Sequence, residues 1–146
     1  SRLTELASTV DQTIASTSVL TANRVGAKAI MAFTESGATA ARVASFRPIA
    51  PLIALYREPA AGRALSLRWG VTAIPTPNLT SIQWMFHEGS RVALETGYAS
   101  DGDLIVVVLG LPPGASGNTN LLRVVTLPEP RPTFDQERFD EIRASR

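Results

Sequence analysis

Residues 103–120 read DLIVVVLGLPPGASGNTN, and this stretch decides the fold. Leu104–Leu109 is an unbroken apolar run of strand length. A continuous Val/Ile/Leu strand belongs to a sheet covered on both faces. The loop Gly110–Asn120 that follows holds three glycines and two prolines, then leads into a second apolar run, Leu121–Leu127 (LLRVVTL). A parallel pair needs about a dozen or more connecting residues, normally a helix. The loop has no room for one, so the two runs are expected to be antiparallel neighbours. A Gly-rich loop beyond the carboxyl end of a buried strand is also where α/β sheets place ligands.

Upstream, helices and strands alternate. Asp11–Val25 reads as a helix with Ala15, Val19, Ala22 and Val25 on its inner face and Gly26 as its cap. Ala29–Phe33 (AIMAF) reads as a buried strand. Thr34-Glu35-Ser36-Gly37 turns into a helix through about Phe46, closed by Arg47-Pro48. Leu52–Leu55 is the next strand. A short helix from Arg57-Glu58-Pro59 through Arg68 and a short strand, Val71–Ile74, follow. Thr80–Thr96 is the strongest helix, with Ile82, Met85, Phe86, Gly89 and Ala93 as its inner stripe and Gly97 as its stop. This order predicts an α/β three-layer sandwich. Its five-stranded sheet is mostly parallel with the last strand antiparallel, and helices cover both faces.

The domain is expected to occupy residues 1–127. Residues 128–146 differ in character. Pro128, Pro130 and Pro132 alternate with Glu129 and Arg131, which favours an extended spacer. Thr133 and Gln136 form a capping-box pattern before Phe134, Phe139 and Ile142, which share one side of a short amphipathic helix.

At 146 residues the chain is one domain of ordinary size, able to bury roughly 68–70% of its unfolded surface. A net charge of +1 gives no electrostatic case for nucleic acid or an anionic membrane. With no cysteine there is no disulfide framework, thiolate zinc site or thiol nucleophile. No apolar run is long enough to cross a membrane, and no signal peptide is visible. A cytoplasmic location is expected. Ser1 in place of a Met reads as trimming or as a fragment of something longer.

Two segments are candidates for chemistry. Thr34-Glu35-Ser36-Gly37-Ala38-Thr39 lies between a strand and a helix N-terminus, where N–H groups and the helix dipole favour an anion. The plainer reading is that Thr34 or Ser36 caps the helix. Glu35 opposes a phosphate by roughly 3 kcal/mol at about 5 Å and an effective dielectric near 20. The second candidate is Gly114-Ala115-Ser116-Gly117-Asn118-Thr119, a backbone cradle for a ligand or simply a long turn. Any Ser–His–Asp triad would need the single histidine, His87, and no nucleophile elbow or paired-carboxylate motif occurs. Trp69 and Trp84 are expected to pack in the core or at an interface.

The order of these marks resembles the C-terminal domain of pyruvate kinase. Gly26-Ala27-Lys28-Ala29-Ile30, TESGATA at Thr34–Ala40, Phe46-Arg47-Pro48 with Ala50-Pro51-Leu52-Ile53-Ala54, and Trp69-Gly70-Val71 are similar to motifs of that family. So are Gly102-Asp103 and the ending Gly117-Asn118-Thr119-Asn120-Leu121-Leu122-Arg123-Val124. The resemblance covers about Thr9 to Leu127. It implies a domain that helps build a tetramer and often holds a sugar-phosphate or nucleotide effector. It also implies the site: Thr34, Glu35, Ser36, Gly37, Ala38 and Thr39 with Gly114, Ala115, Ser116, Gly117, Asn118 and Thr119. The parent reaction of the family, in glycolysis, converts phosphoenolpyruvate and ADP to pyruvate and ATP on a TIM barrel with Mg²⁺ and K⁺. This chain has no room for the barrel, so no catalytic residue, metal site or cofactor is expected in it. Two departures stand out. Many effector-binding members carry a basic residue in or near these loops, while this chain has Glu35, and Met85 lies where some carry an arginine that reaches the effector.

Three functions follow from these readings. The first is a non-catalytic regulatory and oligomerisation domain, a dimer or part of a tetramer. The second is a stand-alone binder of a phosphorylated metabolite on the same fold. The third is an independent enzyme, which the lone histidine disfavours.

Overall fold

The computed structural model describes residues 9–77, 79, 81–111, 118–133 and 144–145. The predicted helix over Phe134–Ile142 and the glycine-rich tip Gly114–Gly117 lie outside them. The elements run in the order α1 (Val10–Val25), β1 (Ile30–Thr34), α2 (Ala38–Ser45), β2 (Leu52–Tyr56) and α3 (Pro59–Ser66). They continue with β3 (Val71–Pro75), α4 (Ile82–Thr96), β4 (Leu104–Leu109) and β5 (Leu121–Thr126). The strands form one sheet in the order β3-β2-β1-β4-β5. All neighbours are parallel except β4 and β5, which pair antiparallel from Leu104↔Thr126 to Leu109↔Leu121. The expected three-layer α/β sandwich is the observed architecture.

Strand periodicity divides the core in two. Ile30, Ala32, Leu52, Ala54, Val106 and Val108 point to one face, where Ala15, Val19 and Ala22 of α1, Ala40 and Val43 of α2 and Leu65 of α3 cover them. Met31, Phe33, Ile53, Leu55, Ile105, Val107 and Leu109 point to the other, where α4 lies on them through Met85, Phe86, Val92 and Ala93. The first face sets alanines among Ile30, Leu52 and two valines and seats three helices. The second uses large residues to fill the space beneath a single helix.

Helix ends follow the expected chemistry at most positions. Gly26 and Gly97 close α1 and α4 in the left-handed region, at φ 69° and 78°. Ser81 caps α4 by accepting the Trp84 N–H at 3.3 Å. Pro59 opens α3, whose first turn has no use for its missing N–H, and this starts the helix two residues later than expected.

Some expectations fail locally. Val25, in the last turn of α1, is 42% exposed. Ser18 takes the inner position instead, its hydroxyl satisfied by the Ile14 carbonyl at 2.6 Å. Trp69 is not in the core: it stands 97% exposed on the turn before β3. Ile82 is only partly buried, and Glu88, Ser90 and Val92 join the inner side of α4. The segment after β5 folds back along α4. The Glu129 N–H donates to Ser90 Oγ at 2.9 Å, and the Arg131 guanidinium lies 5.3 Å over the Trp84 ring.

Candidate functional site

Parallel pairing puts the carboxyl ends of β1 and β4 side by side, in the register Ile30↔Val106 to Ala32↔Val108. The loops that leave them, Thr34–Gly37 and Gly110–Asn120, therefore start at the same rim. They meet where Thr39, in the first turn of α2, approaches Thr119. Their hydroxyl oxygens are 2.7 Å apart in a buried hydrogen bond. The Thr119 N–H donates to Asp11 Oδ1 at 2.9 Å, which brings the first turn of α1 to the same place. Three elements distant in sequence converge on one threonine.

Each loop is held by its own side chains. Thr34 Oγ1 accepts the Gly37 N–H at 3.0 Å, and Ser36 Oγ accepts the Ala38 N–H at 3.4 Å. Neither residue is the helix cap expected from sequence. That position belongs to Gly37, at φ 94°, with no side-chain cap bond. A left-handed backbone here suits glycine, and the loop turns sharply enough for Thr34 to reach back over it. In the second loop the Leu111 N–H donates to Asn120 Oδ1 at 2.9 Å. The Leu111 carbonyl accepts from Asn118 Nδ2 at 2.8 Å and Asn120 Nδ2 at 2.7 Å. Gly110 is required at this neck, because any Cβ there would overlap the Asn118 carbonyl.

The rim is not cationic. Glu35 pairs with Arg57 at 3.2 Å, Arg57 with Glu58 at 3.6 Å, and Arg42 with Asp11 at 3.6 Å. Three carboxylates thus face two guanidiniums. Arg42 keeps one donor in reserve: its Nη1 is buried with no hydrogen-bond partner among the described residues. Met85 has no hydrogen to donate to a ligand, and its side chain is buried in the core beneath α4.

Asp11, Arg42 and Arg57 were missed by sequence reasoning. Arg57 had a readable signal. Parallel register aligns Thr34 with Tyr56, so the residues after them, Glu35 and Arg57, are neighbours by construction. Asp11 had none, since it meets Thr119 across 108 positions.

The shifted titrating groups lie away from this rim, on α4. The Arg91 hydrogen bond holds the Glu88 carboxyl below its ordinary value of 4.5. Burial opposes this, while the charges of Arg91 and His87 assist it. Arg91 is pushed up in turn, chiefly by Glu88. This is an i,i+3 ion pair at 2.6 Å, extended to Glu95 at 2.7 Å, and its geometry accounts for the shifts without a catalytic role. His87 Nδ1 faces the Glu129 carbonyl at 3.2 Å and so belongs to the anchorage of the tail. Among the described residues, no three His, Cys, Asp or Glu side chains group as a metal site would require. Nor is any described helix long and apolar enough to cross a membrane.

A mainly parallel sheet between helical layers, with two loops joined at its carboxyl rim, defines an open α/β domain. Residues 12–125 match the family described as the alpha/beta domain of pyruvate kinase, and the chain belongs to that family. It is 38% identical over 117 residues to a pyruvate kinase of Lactobacillus delbrueckii subsp. bulgaricus, covering 80% of this chain and 20% of that protein. It is 40% identical over 101 residues to one of Mycobacterium intracellulare, covering 69% and 21%. With one of Agrobacterium vitis the identity is 36% over 120 residues, covering 82% and 25%. The chain thus spans between a fifth and a quarter of the length of these relatives.

Proposed function

We propose that this chain is a non-catalytic regulatory and assembly domain of a pyruvate kinase. In this reading the rim between Thr34–Thr39 and Gly114–Thr119 receives a phosphorylated effector, and the parent reaction takes place on other parts of the longer polypeptide. The supporting observation is the Thr39–Thr119 hydroxyl bond, which joins the two loops in a member of this family. A ligand seated across that bond would draw the loops together or part them, and would so report its presence to α1 and α2.

The chemistry argues for modest affinity. The helix terminus contributes about 0.3–1 kcal/mol to an anion. Glu35 opposes it, and the Arg57 ion pair offsets that repulsion only while it stays intact. The Gly37 and Ala38 N–H groups are engaged by Thr34 and Ser36, so an incoming phosphate must displace those oxygens. Arg42 Nη1 is the donor best placed to compensate. Calorimetry with fructose 1,6-bisphosphate, ribose 5-phosphate and AMP tests the reading; three flat titrations would sink the effector role. A dissociation constant that tightens in Glu35→Gln would support it.

Assembly is assigned to the β5 edge. The strand ends the sheet, and Val124 on it is partly exposed. Light scattering on a gel-filtration column should give a dimer or larger species. Only monomer at high concentration would remove the assembly role and leave the effector reading to stand alone.

A further inference from the structure

The family match ends at residue 125, one position before β5 does. The segment that follows, through Arg131, is built into the domain. Leu127 is 2% exposed in the core, its N–H donating to the Asp103 carbonyl at 2.9 Å and its carbonyl accepting the Gly102 N–H at 2.8 Å. At Glu129 every polar atom is engaged. The N–H donates to Ser90 Oγ at 2.9 Å, and the carbonyl faces His87 Nδ1 at 3.2 Å. The carboxylate accepts from Arg123 Nη1 and Nη2 at 2.9 and 3.3 Å. The carbonyl needs a donor, which assigns the His87 proton to Nδ1. Arg123 in turn lies 4.4 Å over the Phe86 ring. Ser90, His87 and Phe86 belong to α4 and Arg123 to β5, so one tail residue ties helix to edge strand.

We propose that residues Leu127–Arg131 are a latch, with Glu129 its catch, holding α4 on the sheet as a unit that opens separately from the three-helix face. On that face α1 and α2 pack against each other as well as on the strands. Among the described residues α4 is the one helix of its core cluster, and its flank toward β5 is held by the tail. Apolar burial is non-directional and lets a single helix slide or lift. The Glu129 hydrogen bonds are directional and fix where it sits. Proteins open in contiguous cooperative units, and the unit with the fewest neighbours opens at least cost. Releasing the latch would uncover Phe86, Leu127 and the β5 side of the core together.

Amide hydrogen exchange on the whole chain tests this, comparing wild type with Glu129→Ala and Ser90→Ala. Exchange over Ile82–Thr96 and Leu121–Thr126 should rise about tenfold in each variant, the scale set by loss of one well-made hydrogen bond to a charged or buried group. Rates in α1, α2, β1 and β2 should not move. Unchanged α4 rates in both variants, or an equal rise in every element, would overturn the latch. Ser90→Ala leaves the Glu129–Arg123 pair in place, so it still decides the question if Glu129→Ala fails to fold.

Discussion

The two faces of the sheet solve the same problem with opposite means. Ala32 and Ala54 lie on the face covered by α1, α2 and α3, while Phe33 and Leu55, one residue on in the same strands, lie beneath α4. Alanines at Ala32 and Ala54, among larger neighbours, let three helices approach, and α1 and α2 pack on each other. Large side chains fill the volume that one helix leaves, and a polar tail secures its flank. The crowded face tolerates little added volume. The other depends on the volume it already has.

Neighbouring positions in β2 expose the difference. Leu55→Ala should cost about 2–5 kcal/mol by leaving a cavity under α4. Ala54→Leu should cost about 1–3 kcal/mol by overpacking the three-helix face. Urea unfolding measures both, and the reverse ranking would break the comparison. The next effect belongs to the rim. Thr39→Val strands the buried Thr119 hydroxyl and should cost about 1–3 kcal/mol, while the double variant Thr39→Val with Thr119→Val should recover most of that loss. A double variant as unstable as the sum of its singles would mean that the hydroxyl pair is not a closed unit.

Two smaller effects probe α4. A Cβ on Gly89 would meet Phe33, Val107 and Met31 at ordinary contact distances of 3.6–3.8 Å. Gly89→Ala should therefore raise stability, by about 0.5–1 kcal/mol from helix propensity. A loss on thermal unfolding would show that the single-helix face is as tightly filled as the other. Glu88→Gln should cost about 1 kcal/mol at neutral pH, since Arg91 is half exposed and the pair is partly screened. The folded carboxyl titrates below 4.5, so its contribution is present above that value and is lost as pH falls through the folded value. The gap between variant and wild type should close in acid; a gap that widened there would reverse the sign of the argument.

The fold was legible because apolar runs and loop lengths are local signals. Leu104–Leu109 stated a buried strand, and the short connection to Leu121 stated its antiparallel neighbour. Val25 misled because hydrophobicity records what a residue prefers, not what the fold covers, and Trp69, exposed, keeps only the interface half of its expectation. Ser18 and Glu88 misled in the opposite sense: a carbonyl on the preceding turn and an arginine on the next satisfy them, so polar residues sit where apolar ones were expected. At the rim, each loop could be found alone from its glycines and hydroxyls. Their junction could not, since Thr39 and Thr119 are 80 positions apart and Asp11 further still. Only parallel register, applied to Thr34 and Tyr56, would have revealed Arg57 beside Glu35.

The antiparallel turn of β5 has a consequence for how the domain can be handled. It sends the chain to the far end of the sheet, and the tail then climbs back along α4 until Arg131 reaches Trp84 in that helix's first turn. The first turn of α1 meets Thr119 at this same carboxyl rim. Anything joined to either end of the described domain is thus joined beside the two loops. A fusion partner, an affinity tag or a surface tether attached directly at Val10 or Arg131 would crowd that rim. A dye carried on the turn at Trp69, at the opposite end of the strands, would leave it open.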